Sequence, residues 1–77
     1  MSLEEKLEKW RRLEEEAREI RRRSANWEFI ESLPKKLKAS LIYYIETGDI
    51  RTSAKLAGLD IEDFRMLLRR ANIPVVV

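Results

Sequence analysis

Between residues 3 and 32 the sequence contains neither glycine nor proline. It is dominated by Leu, Glu, Lys, Arg and Ala, which are strong helix formers. The stretch reads as one long helix or two abutting ones. Glu5–Lys9, Glu8–Arg12, Glu14–Arg18 and Glu19–Arg23 pair acid to base four residues on, each adding a few tenths of a kcal/mol to a helix. Ser24-Ala25-Asn26 holds two capping-type residues, so a break or kink belongs there. Trp27, Phe29, Ile30 and Leu33 follow as the densest apolar cluster of the first half, marking where the helix meets a globular part.

The apolar residues of this stretch are few. Trp10, Leu13, Ala17, Ile20, Ser24 and Trp27 recur at steps of three and four, with Leu3 and Leu7 roughly in line. A seam this narrow suits contact with one other helix, in the same chain or between two chains. The bland alternative is a solvated helix. Trp10 and Trp27 read as packing residues rather than platforms for base stacking.

The second half is punctuated. Pro34 disfavours helical geometry at Leu33 and fits a first helical turn. With Ser32 as cap, a helix is expected from about Pro34 to Thr47, its apolar positions Leu37, Leu41, Tyr44 and Ile45, ended by Gly48. Asp49 caps a short helix, about Ile50 to Ala57, and Gly58-Leu59 turns the chain. Asp60 caps a last helix from Ile61 to about Ala71, stopped by Ile73-Pro74, with Phe64, Leu67 and Leu68 on its buried side. Val75-Val76-Val77 is β-branched and reads as a short extended tail. The expected organisation is all-α, a charged coiled-coil-like helix over residues 1–32 followed by a three-helix domain over residues 33–77.

Composition narrows the chemistry. There is no cysteine and no histidine among the 77 residues, which removes disulfides, thiolate ligands and the commonest general base. The Glu14-Glu15-Glu16 run has no such partner and reads as helix surface, so no enzyme activity, cofactor or metal is expected. No small-molecule substrate, membrane span or secretion signal is read from the sequence, and the expected location is cytoplasmic. A chain this short is marginally stable alone, which makes a homodimer the expected extra source of stability. The net charge of +2 is unevenly divided: residues 1–32 carry eight basic and nine acidic side chains, residues 33–77 eight and five. The basic excess is a faint electrostatic footprint for nucleic acid.

With Ile50 as the first position of a helix-turn-helix, Ala54 falls at the fifth, where two helices cross closely. Gly58 falls at the ninth, where the turn needs positive φ. Ala57, Leu59, Phe64 and Leu67 take the apolar positions that wedge the two helices. In such a motif the start of the second helix meets base edges in double-stranded DNA. Here that start is Asp60, Ile61, Glu62 and Asp63, whose carboxylates repel phosphates and favour only cytosine amino groups. The candidate DNA-binding residues are Arg51 and Lys55 on the first helix and Arg65, Arg69 and Arg70 on the second. Lys35, Lys36 and Lys38 are further candidates for phosphate contacts. Each also reads as ordinary solvated surface.

The run Ser40-Leu41-Ile42-Tyr43-Tyr44-Ile45-Glu46-Thr47-Gly48-Asp49-Ile50, then Ala54-Lys55-Leu56-Ala57-Gly58-Leu59, then Phe64-Arg65-Met66-Leu67-Leu68 and Ile73-Pro74-Val75, resembles a family of small prokaryotic proteins. That family has a Leu-Tyr-x-x-Gly helix end, an Ala-x-x-Ala-Gly turn, a Phe-x-x-Leu-Leu helix and a terminal Ile-Pro-Val. Its members are often treated as VapB-like antitoxins, encoded beside PIN-domain ribonuclease toxins. The resemblance implies a DNA-binding transcriptional regulator that also neutralises a toxin, gripped by the N-terminal helix or the Val75–Val77 tail. The residues alone leave one rival open, a protein–protein interaction module that does not bind DNA.

Overall fold

The computed structural model describes residues 2–75, which are all-helical: α1 (Leu3–Ser24), α2 (Trp27–Glu31), α3 (Lys35–Thr47), α4 (Ile50–Ala57) and α5 (Ile61–Arg70). The expected break falls at Ala25–Asn26. Asn26 caps α2, its side-chain oxygen accepting from the Phe29 N–H at 3.1 Å, and its own N–H reaches the Ala71 carbonyl at 2.8 Å. The break therefore docks α1 and α2 onto the end of α5. Val76 and Val77, two of the three residues of the expected tail, lie outside the described residues; Pro74 and Val75 carry no regular structure.

Helix α3 is the centre of the fold and packs against α1, α2 and α4, while α4 packs on α5. Its buried Leu41, Tyr44 and Ile45 meet Ile30 of α2, Ala54 and Ala57 of α4, and Phe64 and Leu68 of α5 in one core cluster. The Tyr44 and Phe64 rings meet edge to face, centroids 6.1 Å apart. Each such large side chain, fully removed from water, contributes about 1.5–3 kcal/mol. Two small polar side chains share this interior at no cost in unpaired groups. The hydroxyls of Ser40 and Ser53 donate to the carbonyls of Leu37 and Asp49, each at 2.6 Å.

Three local expectations differ. Helix α3 starts at Lys35 with Pro34 at the cap position and no side-chain cap, because the Ser32 hydroxyl instead donates to the Phe29 carbonyl and closes α2. Trp27 does not continue a seam along α1: it lies beyond the break, its indole N–H bonded to the Arg22 carbonyl at 2.9 Å. Of the four expected acid–base pairs on α1, Glu19–Arg23 forms at 4.0 Å; Glu8 and Glu19 also hold Arg11 and Arg22 one step nearer.

The principal extents of the molecule are 45 × 23 × 18 Å, and α1 accounts for the long one. Only its last third touches the body; residues 2–16 are exposed all round. What joins α1 to α3 is arginine. Arg21 is 5% exposed, its Nε donating to the Ile45 carbonyl at 2.9 Å and its guanidinium lying 5.7 Å from the Tyr44 ring centre. Arg18 Nε donates to the Glu46 carbonyl at 3.0 Å, and Arg22 pairs with the Glu46 carboxylate at 2.9 Å. Two cationic donors thus take carbonyls of the last turn of α3, where the helix dipole favours positive charge.

Candidate nucleic-acid interface

Helices α4 and α5 are short, and local chemistry fixes both. Asp49 caps α4 by accepting from the Thr52 N–H at 3.1 Å and the Thr52 hydroxyl at 2.7 Å. These bonds, the hydroxyl one above all, hold the Asp49 carboxyl below its ordinary value. Asp60 caps α5, accepting from the Asp63 N–H at 2.8 Å. Between the helices Gly58 sits at φ 72°, its N–H on the Lys55 carbonyl, and the next N–H, of Leu59, returns to Ala54 at 3.0 Å. A Cβ at Gly58 would lie 2.8 Å from Lys36 Nζ, the free end of a flexible side chain. The obstacle to substitution there is therefore the backbone angle more than the space.

The residues singled out as structural lie as follows around this turn. Ala54 and Ala57 are buried where α4 crosses its neighbours, Phe64 is fully buried, and Leu59 and Leu67 are partly buried against the same cluster. At its far end α5 closes with Asn72 at φ 57°, the Ile73 N–H returning to the Leu68 carbonyl at 2.9 Å. Asparagine tolerates that left-handed angle, and its side-chain amide donates to the Ser24 carbonyl at 2.8 Å, tying α5 to the end of α1.

Arg51 and Lys55 lie one turn apart on α4, Arg65 and Arg69 one turn apart on α5, with Arg70 next along the helix. All five are exposed, and none has a carboxylate within 4.0 Å among the described residues. The rows are not equivalent. The Tyr44 hydroxyl, whose pKa burial raises, feels Arg21 and then Arg65 as opposing influences, and Arg69 lines a shallow cleft with Ser24, Asn72, Ile73 and Pro74. Arg69 therefore lies beside the end of α1, with Arg65 one turn earlier on the same helix. At the start of α5, Asp60 is engaged as a cap, and Glu62 and Asp63 are exposed in the first turn.

Arg21, Arg22 and Glu46 have no assigned role in the sequence reading, and Arg18, expected there to pair with Glu14, bonds Glu46 instead. The Arg22 hydrogen bond holds the Glu46 carboxyl below its ordinary range and raises Arg22. Burial lowers the pKa of Arg21. Spacings of three and four put the three arginines on one face of α1, but nothing in the sequence distinguishes them from the other basic residues of that helix. Among the described residues no three His, Cys, Asp or Glu side chains gather as a metal site, and no helix is long and apolar enough to cross a membrane. Compared with protein-family models, curated proteins and solved structures, the chain matches none.

Proposed function

We propose that the chain is a DNA-binding regulator whose helix-turn-helix consists of α4, the Gly58–Asp60 turn and α5. The observation that carries this reading is the set of five exposed cations, Arg51, Lys55, Arg65, Arg69 and Arg70, left without carboxylate partners on two adjacent helices. On α1, Arg11, Arg18, Arg22 and Arg23 have carboxylate partners, while Lys6, Lys9 and Arg12 have none among the described residues. Cations free to displace counterions are what phosphate binding requires. The left-handed Gly58 between a short capped helix and a second capped helix agrees with the motif.

Glu62 and Asp63 limit the affinity of a single copy, because they stand among the groups that would approach phosphate. Binding is therefore weak per chain and steeply dependent on salt. On the family resemblance, the regulator is an antitoxin that also holds a PIN-type ribonuclease. The reading as a protein-interaction module is favoured by one separate observation, the exposed apolar row of α1.

Fluorescence anisotropy on a labelled duplex across a salt series tests the proposal. Arg65→Ala with Arg69→Ala should weaken binding and flatten the slope of log affinity against log salt by about 2 per chain. Glu62→Gln should tighten non-specific binding. An unchanged slope in the double variant removes α5 as the contact surface, and no wild-type binding at low salt on any duplex leaves the interaction module.

A further inference from the structure

One row of α1 is apolar and uncovered: Leu3, Leu7, Trp10, Leu13 and Ile20 are 39% to 72% exposed. The Trp10 indole is held along the helix by its N–H bond to Glu14 at 2.9 Å and remains exposed. Helices of 12–15 residues are marginal in water when nothing covers them, and the free part of α1 is of that length. Where the row nears the body, Trp10, Leu13, Ala17 and Ile20 form one wall of a groove of about 640 Å³. Glu46, Thr47 and Gly48 at the end of α3 form the other.

We propose that this row pairs antiparallel with α1 of a second copy, in the register that sets Leu3 against the partner's Ile20 and Trp10 against the partner's Leu13. Charge selects the register. With Leu3, Trp10 and Ala17 at heptad position a and Lys6, Leu13 and Ile20 at d, the flanks carry Lys9 and Glu16 on one side and Leu7, Glu14 and Arg21 on the other. In the proposed register each Lys9 faces the partner's Glu16, twice by symmetry, and Lys6 lays its stem over the small Ala17. Neither Lys9 nor Glu16 has an ion pair of its own among the described residues. Sliding one heptad in one direction sets Glu16 against Glu16 and Lys9 against Arg23. Sliding one heptad the other way sets Lys9 against Lys9 and Trp10 against Lys6. A parallel pair places Lys6 on Lys6 within the seam.

In the same register Leu7, an apolar residue on a flank otherwise charged, meets the partner's Glu14. That flank is the one α3 lies on, since Arg21 reaches Ile45 from it. The partner's N-terminal half then runs along the groove, with its Leu7 toward the α3 side.

Sedimentation equilibrium of the full chain at high micromolar concentration provides the test, and it is independent of DNA binding. Wild type should be a dimer. Lys9→Glu and Glu16→Lys should each raise its dissociation constant by about tenfold, because two attractive pairs become repulsive. The double variant Lys9→Glu/Glu16→Lys should restore the wild-type value, and Lys9→Glu/Glu14→Lys should not. Circular dichroism should find the same helix content in all variants at the concentration where each is dimeric. A monomeric wild type overturns the proposal, as does indifference to charge reversal. Rescue by Glu14→Lys in place of Glu16→Lys means a parallel pair and overturns it equally.

Discussion

Replacing Arg21 with alanine removes a buried charge that joins α1 to the domain. The guanidinium gives a charge-assisted bond to the Ile45 carbonyl, a kind worth about 1.5–3 kcal/mol. Its position over Tyr44 adds about 0.5–1 kcal/mol. Against these stands the cost of keeping a cation out of water, visible in the lowered Arg21 pKa. The net loss on truncation should be about 2–3 kcal/mol, since the Ile45 carbonyl also loses its partner. For a domain of this size about 4–8 °C accompanies each kcal/mol, so the melting temperature should fall by about 8–24 °C. Arg18→Ala is the control. Arg18 bonds the neighbouring Glu46 carbonyl, but its side chain is 41% exposed, and its loss should stay within about 1 kcal/mol. Arg21→Lys keeps the charge without the planar fork and should recover less than half the loss. Thermal melts by circular dichroism at one fixed protein concentration decide it. A loss for Arg21→Ala no larger than for Arg18→Ala refutes the argument that this arginine holds the two parts together.

Other outcomes follow from the same structure. Gly58→Val places a β-branched residue at φ 72°, and Ala54→Leu forces a large side chain into a buried crossing; each should cost about 1–3 kcal/mol in a denaturant titration. Glu46 and Asp49 both have lowered pKa values in the fold. Their contribution is full above their unfolded values and is lost as pH falls through the folded ones, so stability should decline in acid. Glu46→Gln with Asp49→Asn should flatten that decline in urea titrations taken across the acid range, and an unchanged acid limb would count against both assignments.

The sequence makes the helix ends legible because their causes are local. Asp49, Asp60, Gly48 and Gly58 each act within four residues, and each stands where its spacing predicts. Leu41, Tyr44, Ile45, Phe64 and Leu68 are equally readable, since burial follows the helical period. What is not legible depends on contacts far apart in the chain. Ser32 fits either the end of one helix or the start of the next, and the hydroxyl bond to Phe29 decides between them. Arg21 looks like its neighbours until the end of α3 lies across it, 24 residues away along the chain. Trp27 keeps the spacing of the seam but stands past a break that Asn26 makes by bonding Ala71. The candidate interface shares this division. Its turn is local and readable, whereas the place of Arg69 beside Ser24 at the end of α1 arises from packing.

The central claim is that α4 and α5 meet DNA, and amide chemical-shift mapping of the full chain tests it most directly. A short duplex is titrated in at low salt while the backbone amides are followed. The largest changes should fall between residues 51 and 70, centred on Arg51, Lys55, Arg65 and Arg69, and fade as salt rises. Changes confined to α1, or no changes at low salt, contradict it.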